Sequence, residues 1–212
     1  MLHHALRNIF AAALLILSAA TAWGQLTAAK AFSTMPDKLM PLLDRSTRLD
    51  MIDYFNSGSS TPSKNSMAGQ SRIMELTPQT AVVQLSPAST CEIALLPAGS
   101  DTLIAVISTV ATPAPDSKLH VYTSDWSRDL TSQVFTAPQL TDWLTGDGRK
   151  NIAEVETMVP FMLAGGKYDP ATGSYVLTNN VSQFLTEEVY KPMSGYFQPT
   201  LVYKWNGKRF NK

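Results

Sequence analysis

The clearest pattern of apolar and polar positions in the chain runs from Cys91 to Thr123. Thr102–Val110 is an almost unbroken run of β-branched and apolar residues, with turn chemistry at Pro97–Asp101 before it and Pro113–Ser117 after it. A short apolar run between turn signals predicts a strand covered on both faces. The flanking runs alternate instead. Cys91, Ile93 and Leu95 share one face, while Lys118, His120 and Tyr122 share a face opposite Leu119 and Val121. Alternation of this kind marks a pleated strand. Upstream, Ser71–Thr77 and Thr80–Ser86 make a hairpin around Pro78-Gln79, with Ala81, Val83 and Leu85 on one side and Val82 and Gln84 on the other. Short turns between consecutive strands favour antiparallel pairing, so Ser71–Thr123 predicts a five-strand up-and-down meander.

The segments on either side read differently. Ala28–Asn56 has helical spacing. Pro36 and Pro41 suit the first turns of short helices, and Leu39, Leu42 and Leu43 form an apolar face. The expectation is one helix over Pro36–Arg45 and another over Arg48–Asn56. Ser57–Gln70 is small, polar and proline-containing, the composition of a loop. Beyond the meander, Asp125-Trp126 reads as a packing corner, Pro138–Leu144 as a short helix, and Gly146-Asp147-Gly148 as a loop. Ile152–Ala164 alternates over Val155, Thr157, Val159, Phe161 and Leu163. It reads as a strand, and Pro160 confines it to an edge or a bulge. Lys167–Ser174 is a hairpin loop and Tyr175–Thr178 its return strand. Asn180 and Gln183 suggest a capping box for a helix over Val181–Tyr190. Leu201–Trp205 is a final strand, and Asn206-Gly207 turns Lys208–Phe210 back on it.

The predicted class is α+β: an antiparallel β-meander sheet packed by short helices. The order helix-then-meander occurs twice, which raises the prospect of two similar α-plus-meander halves, although no sequence repeat accompanies it. One α+β domain is expected over 25–212, with a helical segment at 28–56, the meander at 71–123 and a C-terminal α/β portion at 130–212.

Met1–Gly24 carries a basic start at Arg7, an apolar stretch at Ile9–Ala20, and Ala22 and Gly24 at the small-residue positions of a cleavage site. This is the build of a secretory leader, with Gln25 as the mature start. The expected destination is the periplasm or the cell exterior, with no transmembrane span after cleavage. Composition fits that reading. Only 16% of residues are charged, and Ser and Thr take their place on polar faces. The formal net charge is zero, and Lys and Arg are scattered singly. No bulk field or basic run favours nucleic acid. The single cysteine, Cys91, has no internal disulfide partner and opens an apolar strand face, so it is expected to be buried.

Several segments in order resemble a family of uncharacterised secreted proteins from Bacteroidetes, a domain of unknown function. They are Met35-Pro36-Asp37, Leu42-Leu43, Arg48–Asp53, Glu92–Pro97, Ile107–Val110, Asp116-Ser117, Asp125-Trp126, and Tyr203–Gly207 with Phe210. The resemblance spans nearly all of the chain after the leader. It implies export by a Gram-negative anaerobe and carries over no functional residue.

Catalytic equipment is sparse. His120 is the only histidine after the leader, so a Ser-His-Asp or Cys-His hydrolase would depend on it. Its place between Leu119 and Val121 reads more simply as a solvated strand histidine. One histidine and one cysteine are too few for a zinc cluster. Gly146-Asp147-Gly148 lacks the acidic alternation of a calcium loop. Asp50 and Asp53 beside Arg45 and Arg48 read as helix ion pairs. Glu154 and Glu156, two apart on the expected strand, share a face, which is the placement of a glycosidase carboxylate or, more simply, of a solvated face. No catalytic residue, metal ligand or cofactor site is assigned. Aromatics near loops and strand ends are a slightly better lead: Trp126, Tyr168, Tyr175 and Tyr203 either form a candidate binding surface or, more simply, fill the space between sheet and helices. The expected function is a non-enzymatic module that binds a protein or glycan. The alternatives are a carboxylate-dependent hydrolase, which needs two acidic side chains in one cleft, and a structural assembly component of the envelope.

Overall fold

The computed structural model describes residues 26–59 and 61–212. The leader expected over Met1–Gly24 lies outside the described residues. The five-strand meander expected over Ser71–Thr123 is present, and a short sixth strand within the segment expected as a loop, Ser57–Gln70, extends it. Strands β1 (Ser63–Lys64), β2 (Gln70–Leu76), β3 (Thr80–Ser86), β4 (Ser89–Ala98), β5 (Asp101–Val110) and β6 (Asp116–Thr123) form one sheet in sequence order, every neighbour antiparallel. Its centre is buried on both faces because each face is covered. On one side Ile73, Val83, Cys91, Ile93, Ile104 and Val106 pack against the N-terminal helices. On the other, Leu96, Ile107, Leu119 and Val121 pack against the C-terminal part of the chain. The near-continuous apolar run of β5 follows from this double burial.

The N-terminal cover differs from the expectation over Pro36–Arg45. Helix α1 is Ala28–Thr34, and Asp37–Leu39 forms only a turn of 3-10 helix. Residues between α1 and helix α2 (Arg45–Asn56) wrap around the Arg48 side chain, which is 1% exposed. Its guanidinium donates to the carbonyls of Met35 and Leu43 and lies 3.1 Å from Asp37 Oδ1. A regular helix there would have consumed those carbonyls in its own ladder. Asp44 caps α2, accepting from Thr47 N at 2.7 Å.

The C-terminal part begins with short helices: α3 (Thr131–Val134), α4 (Leu140–Trp143), α5 (Gly146–Lys150) and α6 (Ile152–Met158). Two expectations are corrected here. Gly146-Asp147-Gly148 is not a loop but opens α5, capped by Thr145. Ile152–Ala164 is not a strand. Val155 and Val159, four apart, bury on one side, and the helix ends ahead of Pro160. The second sheet follows: β7 (Ala164–Asp169), β8 (Ser174–Asn179), β9 (Thr200–Trp205) and β10 (Phe210–Asn211), all antiparallel. Between β8 and β9, the single helix expected over Val181–Tyr190 is two pieces, α7 (Val181–Phe184) and α8 (Glu187–Met193). The cap on α7 is Asn179 Oδ1, bonded to Val181 N, whereas Asn180 donates instead to Pro115 O. Helices followed by a meander therefore do occur twice. No helix among the described residues is long and apolar enough to cross a membrane.

Candidate functional site

The two sheets meet along β7, the edge strand of the smaller one. Its amides at Ala164, Gly166 and Tyr168 recur every second residue and point away from β8. Each is taken by a side chain of the larger sheet. Asp116 Oδ1 accepts from Ala164 N at 3.0 Å, Ser117 Oγ from Gly166 N at 2.7 Å, and Glu92 Oε1 from Tyr168 N at 3.2 Å. An edge that would otherwise offer free donors is thus closed by acceptors rather than by another strand.

This junction leaves a cavity of about 540 Å³ between the edge of β6, α3 and strands β7 and β8. Its floor is apolar and aromatic, from Phe135, Trp143, Met162, Tyr175 and Leu177. Its rim is polar, with Lys118, His120, Asp129, Thr131 and Ser132. The size and mixed lining are those of a small-ligand pocket.

Local structure explains each rim group. After β6 the chain turns through Trp126, which holds a φ of +64° and is braced by Asp125 accepting from Thr123, Ser127 N and Ser127 Oγ. These hydrogen bonds hold the Asp125 carboxyl down at about 2. The turn returns Asp129 beside β6, where its Oδ2 lies 3.3 Å from His120 Nδ1. Burial alone would raise the Asp129 carboxyl, but bonds from Thr131 and His120 outweigh it and hold the group below its ordinary range. Lys118 makes no ion pair among the described residues.

On the floor, Tyr175 packs edge-on to Phe135 at 5.6 Å between ring centroids. Burial raises its phenol far above the usual range, and the charges of Glu92 and Asp116 add to this. Gly166 lies against that ring. A Cβ built on Gly166 would come within 2.7 Å of Tyr175 Cε2, so the strand can pass only without a side chain.

A second concavity, about 400 Å³, lies at the C-terminal end of β7 and is lined by Glu75, Thr80, Glu92, Lys167, Tyr168 and Asp169, among others. Glu75, Val82 and Glu92 are register partners across β2, β3 and β4, which puts the two carboxylates in one row on one face. Glu92 is 8% exposed. Burial pushes its carboxyl up to about 7, partly offset by the Tyr168 amide and Lys167, and Glu75 adds to the rise.

The four aromatics predicted as a binding surface are all buried: Trp126 8%, Tyr168 3%, Tyr175 1% and Tyr203 6% exposed. They do not form an open platform. Tyr175 floors the larger cavity and Tyr168 lines the smaller one, while Tyr203 packs on Phe135 at 5.2 Å and Trp126 on Tyr122 at 5.4 Å. His120 is not merely solvated; Asp129 orients it, and no Ser or Cys side chain bonds its other nitrogen among the described residues. The Cys91 thiol is buried and pushed up to about 12, far from a reactive thiolate. Glu154 and Glu156 lie on a helix, where a two-residue spacing turns them to different sides. Asp147 pairs with Lys150 at 2.9 Å. Lys118, Ser132, Phe135 and Met162 carried no local signal, since each is ordinary in its own segment.

Comparison with known proteins gives a consistent picture of kinship without chemistry. A family model described as protein of unknown function (DUF3256) matches residues 22–210. A solved structure, described as a domain of an uncharacterized protein from Porphyromonas gingivalis W83, is similar with a TM-score of 0.71 at 21% sequence identity, covering 86% of this chain and 96% of that one. At that identity the likeness concerns the fold. No curated protein matches.

Proposed function

We propose that this chain, which belongs to the DUF3256 family of unknown function, is an exported, non-enzymatic binding module whose ligand enters the cavity between β6, α3 and the second sheet. The observation that supports this most is the lining itself. Aromatic and aliphatic side chains converge below, and hydroxyls, an oriented imidazole and the Lys118 ammonium converge at the mouth. A ligand that buries an apolar or aromatic group and leaves an anionic or hydroxylated end at the rim satisfies both zones. The leader-like first residues and the low charge content support action in the periplasm or outside the cell.

The test is equilibrium binding of a panel of aryl carboxylates to the purified protein and to Ser132→Trp, which fills the mouth from an exposed position. Saturable binding by the parent that is lost in the folded variant is the expected result. No binding, or binding indifferent to the substitution, would contradict the proposal.

One observation favours a second reading, the carboxylate-dependent hydrolase. Glu92, raised to about 7, and Glu75 share a concavity with Lys167. A buried carboxyl raised in this way, beside a second acidic side chain, can serve as the general acid of such a pair. On this reading Glu92→Gln abolishes turnover on a glycosidase or peptidase substrate panel; absence of any turnover by the parent removes it.

A further inference from the structure

The cavity has a property beyond its lining: one of its walls is an open strand edge. After β6 the chain itself begins another strand on that edge. Tyr122 bridges Asp129 in antiparallel fashion, Leu130 N donates to Val121 O at 2.7 Å, and Val121 N donates to Thr131 Oγ1 at 2.9 Å. Then α3 starts at Thr131 and carries the chain away. Outward-facing backbone groups of an antiparallel edge recur every second residue. Those of Leu119 and Ser117 therefore follow Val121 along the same edge. Both residues line the cavity, and neither backbone amide nor carbonyl finds a partner outside the sheet among the described residues. Side chains close the β7 edge and the Arg128–Thr131 segment covers the upper part of β6, but this stretch is left open.

We propose that the cavity receives an extended peptide segment of a partner protein, added as a further strand along Ser117–Leu119. This rests on the reading of the cavity as the ligand site and names the class of ligand. Main-chain bonds to Ser117 and Leu119 supply sequence-independent affinity, and alternate side chains supply selectivity. Side chains on the Leu119 side of the new strand enter the floor of Phe135, Trp143, Tyr175 and Leu177. Those on the opposite side pass Lys118 and His120, where Lys118 has no acidic partner among the described residues. The segment that fits is an extended one with an apolar or aromatic residue flanked by acidic ones.

The test pans displayed short peptides on the purified protein and follows the enriched peptides by amide NMR. The expected peptides alternate apolar and acidic residues. They shift and protect the Ser117 and Leu119 amides, show cross-strand contacts to both, and lose affinity on the order of tenfold against Lys118→Glu, whose altered side chain is exposed. Failure to enrich any peptide, or enriched peptides that leave both amides unprotected, overturns the proposal. If aryl carboxylates still enter the cavity in that case, only strand addition is lost. If they do not, the cavity reading is lost as well.

Discussion

Glu92 Oε1 accepts a hydrogen bond from the Tyr168 amide at 3.2 Å, joining residues 76 apart in sequence and the two sheets of the fold. With Asp116 to Ala164 and Ser117 to Gly166, it makes a row of side-chain acceptors along the β7 edge. That row sets the spacing between the sheets and so frames the cavity beside it.

The first prediction concerns the charge on Glu92. Its carboxyl is raised from 4.5 to about 7, chiefly by burial. A group raised in the folded state contributes stability below its unfolded value and loses it as pH rises through the folded one. Stability attributable to Glu92 should therefore decline between about pH 4.5 and 7. Glu92→Gln keeps an oxygen acceptor for Tyr168 N and removes the charge. It should be more stable than the parent by roughly 3 kcal/mol at pH 8 and about equal to it at pH 4. Denaturant titrations at both pH values check this. Equal parental and variant stability at pH 8 would count against a buried charge.

A second prediction follows from the close passage of β7 over Tyr175. Gly166→Ala forces its methyl into the ring and should destabilise by about 1–3 kcal/mol. Combining it with Tyr175→Leu, which withdraws the ring, should recover part of that loss in thermal unfolding. Independent, additive effects would show that the ring and the glycine do not meet.

A third concerns Arg48. Its fork holds two carbonyls that no neighbouring helix uses. Arg48→Lys keeps the charge but cannot reach both in the same geometry. Both Arg48→Lys and Arg48→Met should lose about 2–4 kcal/mol by denaturant unfolding. A near-neutral Arg48→Lys would show that charge alone suffices.

A fourth concerns Cys91. A buried thiol held at about 12 should resist alkylation at pH 8 in the native protein and react fully once unfolded. Mass spectrometry with and without denaturant reads this directly. Rapid native labelling would mean that β4 is open.

Much of the architecture is legible in the sequence because its cause is local. Thr102–Val110, the hairpin at Thr77–Thr80 and the Asn206-Gly207 turn each carry their own pattern. Val155, Thr157 and Val159 misled because a span with apolar residues at even spacing also satisfies a four-residue repeat. Burial of Val155 and Val159 together decided for the helix. The chain around Pro36 misled for another reason: Arg48 claims its carbonyls, and no reading of Pro36–Arg45 alone shows that. The cavity was the least legible feature. Tyr175 stands out in the sequence as an aromatic at a strand end, but nothing local shows that it floors a cavity. The acceptors that close β7 come from residues 48, 49 and 76 positions away. Such partners obey no local period.

The central claim is that ligand enters beside β6 and not elsewhere, and methionine methyl NMR tests it most directly. Met162 lines this cavity, whereas Met51 and Met74 line a separate concavity of about 450 Å³ beside α2 and β2. With methyl-labelled methionine, saturating ligand should shift Met162 and leave Met51 and Met74 in place. Shifts confined to Met51 and Met74, with Met162 unmoved, would contradict it.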